Sequence, residues 1–76
     1  IRSSIDSRLR ERLERYRKRI GPLGWDILEE RLGADEPQTL EAIGKRWGLS
    51  RERVRQVELQ TKRFLQRALE DFYEAA

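Results

Sequence analysis

The chain has 76 residues, of which 41% are charged and 37% hydrophobic, with two prolines, no cysteine and no histidine. That is room for one small domain and not for a multidomain enzyme; disulfide and zinc staples lack their usual ligands, so stability must come from helix packing. The net charge of +3 hides four blocks: residues 1–20 carry eight basic and three acidic side chains, 26–41 one and six, 45–67 eight and two, and 68–76 none and three.

Periodicity is helical throughout, which predicts an all-α fold: a small domain of about four helices containing a helix-turn-helix and a long C-terminal helix. In the first segment Ile5, Leu9, Leu13, Tyr16 and Ile20 fall within an arc of about 80° on a helical wheel, with arginines around the rest. Ser3 or Ser4 is placed to cap its start, with Asp6 in the first turn, and Gly21-Pro22 is placed to end it. Leu23, Ile27, Leu28 and Leu32 then predict a short helix facing inward, stopping at Gly33 as a left-handed C-terminal cap, followed by a loop over 34–38.

Thr39 is placed to cap a helix over 40–47, with Glu41 in its first turn. In Gly48-Leu49-Ser50, glycine supplies positive φ, leucine tucks under the corner and serine caps the next helix. Such punctuation is how a helix-turn-helix presents its second helix to the DNA major groove. On that helix Val54, Val57, Thr61, Phe64, Leu65, Ala68 and Phe72 share an arc of about 100°, whereas Glu52, Arg55, Gln56, Leu59 and Arg63 lie opposite, flanked by Arg51 and Arg53. Arginine matches guanine O6 and N7, glutamine adenine N6 and N7, and glutamate cytosine N4. The competing reading is an amphipathic helix with a solvated charged face; a carboxylate among three arginines favours base reading over simple phosphate binding.

The run from Thr39 to Glu58, and above all Ser50-Arg51-Glu52-Arg53-Val54-Arg55-Gln56-Val57-Glu58, resembles region 4 of the bacterial sigma-70 family of RNA polymerase sigma factors. The resemblance covers roughly residues 20 to 69. Within the family, the stretch from Leu32 to Leu40 is closer to heat-shock-type factors than to housekeeping ones. It implies a single region 4-like domain over 1–76, with its helix-turn-helix over 39–72, that recognises the upstream (−35) promoter element in double-stranded DNA. By the same resemblance Arg51, Glu52, Arg55 and Gln56 contact bases, and Arg31, Thr39, Leu40, Ser50 and Arg53 contact phosphates. It also implies that the domain grips the β flap of the RNA polymerase core, on a surface that meets activators or anti-sigma proteins. Leu23, Trp25, Ile27, Leu28 and Leu32 are the candidates for that surface.

Departures from the family pattern carry expectations of their own. Gly24-Trp25-Asp26 stands where members have a charged segment, and a mid-helix glycine costs roughly 1 kcal/mol relative to alanine. Ala42 replaces the glutamate that would complete a capping box with Thr39. Trp47 and Phe64 read as core, and the arginines of the first helix as solvated surface.

No catalytic constellation, glycine-rich phosphate loop or metal-ligand spacing is present in the sequence, so no enzyme activity, metal or cofactor is expected. No apolar run approaches the ~20 residues that cross a bilayer, and the first 20 residues are too charged for a signal peptide. A cytoplasmic chain with no membrane partner is expected, and the lack of methionine reads as a piece of a longer protein. Two other functions fit parts of the pattern: a different helix-turn-helix regulator, and a helical protein-interaction module that does not bind DNA.

Overall fold

The computed structural model describes residues 7–75, without the side chains of residues 72, 74 and 75. The expected roles of Ser3, Ser4, Ile5 and Asp6 lie outside the described residues, as does the core position of the Phe72 side chain. Four α-helices follow in order, α1 (Ser7–Glu14), α2 (Arg17–Ile27), α3 (Leu40–Trp47) and α4 (Arg51–Ala75), with a π-helical turn (Leu28–Leu32) continuing α2. Among the described residues there is no strand, and no helix is long and apolar enough to cross a membrane. The fold is all-α, as the periodicity predicts.

The first apolar stripe does not form one unbroken helix. It breaks at Arg15-Tyr16, where tight turns close through Arg15 N–H to the Arg12 carbonyl and Tyr16 N–H to the Leu13 carbonyl. At the break the Tyr16 ring lies 5.8 Å from that of Phe64, and its hydroxyl donates to Asp71 Oδ2 at 2.8 Å, both partners on α4. This bond, followed by desolvation, raises the Tyr16 pKa above the ordinary phenol value. Gly21 takes φ 81°, ψ 166°, and Pro22 opens the next helical run, so the expected interruption is present as a kink inside α2.

Gly33 is not the left-handed cap expected of it: its φ is −107°. The π-helical turn closes through Gly33 N–H to the Leu28 carbonyl at 2.7 Å, so the chain leaves the helix with an ordinary backbone. Gly24 has a packing reason to lack a side chain. A β-carbon there would stand 2.7 Å from Ile20 Cγ2 and 2.8 Å from Thr61 Oγ1, so the glycine lets α2 approach α4 closely.

Among the described residues two apolar clusters fill the interior. One joins Leu9, Leu13, Ile20, Trp25 and Leu28 to Ala68, with Tyr16, Phe64 and Leu65 packed against it. The other joins Ile27, Leu40 and Ile43 to Val54 and Val57. Leu32 touches both. Helix α4 therefore serves as the spine, its far half packed on α1 and α2 and its near half on α3.

Candidate nucleic-acid interface

The corner between α3 and α4 is built from backbone geometry. Thr39 Oγ1 accepts the Ala42 N–H at 3.0 Å, capping α3, and Gly48 ends that helix with φ 68°, ψ 36°. Ser50 Oγ accepts the Arg53 N–H at 3.1 Å, capping α4. Leu49 does not tuck under the corner; it is 38% exposed. Its backbone takes that place, its N–H bonding the Gly44 carbonyl at 2.8 Å and its own carbonyl oxygen lying 2.6 Å from where a Gly44 β-carbon would stand. Only a glycine at position 44 lets the chain turn this tightly.

Val54, Val57, Thr61 and Ala68 are buried and fix the rotation of α4. That rotation leaves Arg51, Glu52, Arg53, Arg55, Gln56 and Leu59 exposed. The four candidate base-reading residues stand together on the solvent face of the first two turns. Glu52 and Arg55 form a fork: Arg55 Nε meets Glu52 Oε1 at 3.0 Å and Nη2 meets Oε2 at 2.6 Å. This bond lowers the Glu52 pKa below the ordinary carboxylate value and raises that of Arg55. The pair uses the Nε side of the guanidinium and leaves Nη1 outside the fork.

The candidate phosphate contacts divide. Thr39, Ser50 and Arg53 are exposed, and Thr39, Glu41, Ala42, Lys45, Leu49 and Arg51 line one groove, so the starts of both helices open onto the same side. A helix start directs unpaired N–H groups and a partial positive charge outward, suiting it to phosphate. Leu40 is buried, so only its backbone amide is available there. Arg31 is engaged within the protein: Nε donates to Glu58 Oε2 at 2.6 Å and Nη1 to the Gln38 carbonyl at 2.9 Å.

Glu58 is 6% exposed, a buried carboxylate to which the sequence reading gave no structural role. A helical wheel places it about 20° beyond Leu65 at the edge of the core arc, which is the signal that could have found it. Three of the six acidic residues in segment 26–41 likewise serve as internal partners, whereas Asp35, Glu36 and Glu41 are exposed. Glu29 pairs with Arg10 at 2.6 Å, Glu30 accepts from Gln38 at 3.1 Å, and Asp26 accepts from both Arg46 and the Trp47 indole N–H. Trp47 is consequently not core; it is 39% exposed and held by Asp26 at the end of α3.

Of the five apolar candidates for a polymerase-facing surface, Trp25, Ile27 and Leu28 are buried, whereas Leu23 and Leu32 are half-buried against the core. Trp25 is further covered by the Arg17 guanidinium, 4.4 Å above its ring. Among the described residues no group of three or more acidic, histidine or cysteine side chains is arranged to hold a metal ion.

Comparison with known proteins adds to this geometry. Residues 19–68 match the family model described as Sigma-70, region 4. The chain is 40% identical over 60 residues to the RNA polymerase sigma-C factor of Myxococcus xanthus, covering 79% of this chain and 20% of that protein. It is 49% identical over 43 residues to RNA polymerase sigma factor RpoH of Zymomonas mobilis, covering 57% and 14%. With RpoH of Caulobacter vibrioides it shares 44% identity over 45 residues, 59% and 15%. The chain thus spans a fifth or less of the length of these curated relatives. No solved structure matches it.

Proposed function

The chain belongs to the region 4 family of sigma-70 factors, and from that membership we propose that it is the −35-reading DNA-binding domain of a longer RNA polymerase sigma factor. The similarity to two RpoH proteins supports a heat-shock type of parent. One observation carries the DNA reading: Arg51, Glu52, Arg55 and Gln56 are exposed together immediately after a capped helix start, on a helix whose opposite face is locked into the core. Such an array has the donors and acceptors to distinguish base pairs in a major groove.

In this reading Arg51, Glu52, Arg55 and Gln56 meet base edges, while the starts of α3 and α4, with Thr39, Leu40 N–H, Ser50 and Arg53, hold phosphates. Arg31 acts at one remove, fixing the residue before Thr39 against α4. A contact with the RNA polymerase core completes the role, and Leu23 and Leu32 are the candidates for it that keep exposed surface. Activators or anti-sigma proteins would compete for the same side. The domain spans residues 1–76, with its helix-turn-helix over 39–72, and acts in the cytoplasm without catalysis.

Selection of bound duplexes from a random pool, followed by single-base substitution of the preferred site, tests the reading. A defined preference is expected, with log affinity falling linearly in log salt at a slope set by about four to eight phosphate contacts. Absence of salt-sensitive binding to any duplex would favour a protein-interaction module instead.

A further inference from the structure

Leu59 stands in the middle of a charged face and is 46% exposed. A single exposed leucine is ordinary on a protein surface; its address is what gives it meaning. On the helical wheel it lies between Arg55 and Gln56, within about 20° of the direction of Glu52. All three are exposed, as is Arg63 one turn further on. The eight steps from Arg51 to Leu59 rise ~12 Å along the axis, about the width of the major groove. Arg63, at ~18 Å, lies beyond that span. Leu59 is thus the last side chain of α4 that the groove can enclose, and the only one there with no hydrogen-bonding group.

A leucine can neither hold a phosphate nor pair with a base edge. The one apolar feature that a major groove offers is the C5-methyl of thymine. Among the described residues the other large exposed apolar side chains have different settings: Trp47 is bonded to Asp26, Leu49 sits on the turn, and Tyr73 is at the far end of α4. Resting on the DNA-binding role proposed above, we infer that Leu59 is a specificity-determining residue that packs on a thymine methyl at the edge of the site read by Arg55 and Gln56. It adds a preference for T·A at one position beyond those that the polar residues read.

The test uses the 76-residue chain and the duplex selected from the random pool, with each thymine replaced in turn by deoxyuracil, which lacks only the methyl. At one thymine the replacement should lower affinity about three- to fivefold, the effect of one buried methyl-sized group. The same replacement should have no effect on Leu59→Ala or Leu59→Gln, while both variants keep their response to base changes opposite Arg51 and Glu52. Unchanged helicity by circular dichroism confirms that the exposed substitutions left the fold intact. If every deoxyuracil is tolerated, or if the penalty is the same in the variants, the methyl contact is wrong although the domain still reads DNA. If no duplex is selected at all, the DNA-binding reading fails and this inference with it.

Discussion

Arg31 and Glu58 are joined at 2.6 Å across 27 positions of sequence, the carboxylate nearly buried and the guanidinium partly open to solvent. The same guanidinium holds the Gln38 carbonyl at 2.9 Å, directly before the residue that caps α3. One side chain therefore ties the end of the π-helical turn, the start of α3 and the second turn of α4. Because Glu58 follows Arg55 and Gln56 by one turn or less, the contact also fixes where the candidate reading face sits relative to the Thr39 helix start.

Removing the two partners should have unequal effects. Arg31→Ala leaves a nearly buried carboxylate uncompensated and should destabilise the domain by about 2–3 kcal/mol, less than a fully buried pair because the arginine is partly solvated. Glu58→Ala leaves an arginine long enough to turn toward water, and should cost about half as much. Thermal or urea unfolding of both variants measures the difference. Equal losses would mean that burial of the carboxylate is not what makes the pair matter.

The glycines should rank by what surrounds them. Gly24→Ala gains helix propensity of about 1 kcal/mol but places its new methyl against Ile20 and Thr61, so a net loss of about 1–2 kcal/mol is expected. Gly44→Ala meets the Leu49 carbonyl, which is backbone and cannot rotate away. It should be the more damaging of the two, and should weaken duplex binding even at temperatures where the chain remains folded, because the corner that sets α4 against α3 must open. Unfolding curves and duplex titrations on the two variants decide the order.

The contrast between local and distant signals explains what could be read in advance. Helices α3 and α4, the caps at Thr39 and Ser50, the positive φ of Gly48 and the buried arc of Val54, Val57, Thr61 and Ala68 all follow from residues a few positions apart. The exposed placement of Arg51, Glu52, Arg55 and Gln56 was legible for the same reason. What escaped was decided between elements. Trp47 belongs at the surface because Asp26, 21 positions away, accepts its indole N–H. Leu49 is exposed because backbone occupies the corner, and Tyr16 interrupts its helix while bonded to Asp71, 55 positions away. Periodicity reports which face is apolar and carries no information about such pairings.

The Glu52–Arg55 fork should tune selectivity. Glu52→Gln loses the charge that holds Arg55 sideways, and the released guanidinium is free to meet any phosphate. Binding to unrelated duplexes should strengthen, the salt slope should steepen by about one contact, and the ratio of preferred to point-mutated sites should fall. Constant ratios would remove Glu52 from base reading.

The fork also has a pH signature. The Glu52 pKa is depressed chiefly by its hydrogen bond to Arg55, so the contribution of the pair to the folded state is present above the unfolded carboxylate value and is lost as pH falls through the lower, folded one. A carboxyl titration followed by NMR should place the Glu52 midpoint below that of an ordinary glutamate, and Arg55→Ala should return it upward. A midpoint indifferent to Arg55→Ala would mean that the fork does not persist in solution.

Arg51 and Arg53 flank the same turn yet should behave differently on DNA. Arg51 shares a groove with the capped start of α3 and opens onto the reading face; Arg51→Ala should cost about 1–3 kcal/mol on the preferred duplex and relax discrimination at one base pair. Arg53 is exposed on the other flank of the helix and is proposed above for the sugar-phosphate backbone. Arg53→Ala should weaken all duplexes evenly and reduce the salt slope by about one. Affinities at three salt concentrations, on the preferred site and on two point-mutated sites, separate the two kinds of loss. If the effects exchange places, α4 is rotated in the groove relative to the arrangement proposed, and Arg53 rather than Arg51 is the base-reading arginine.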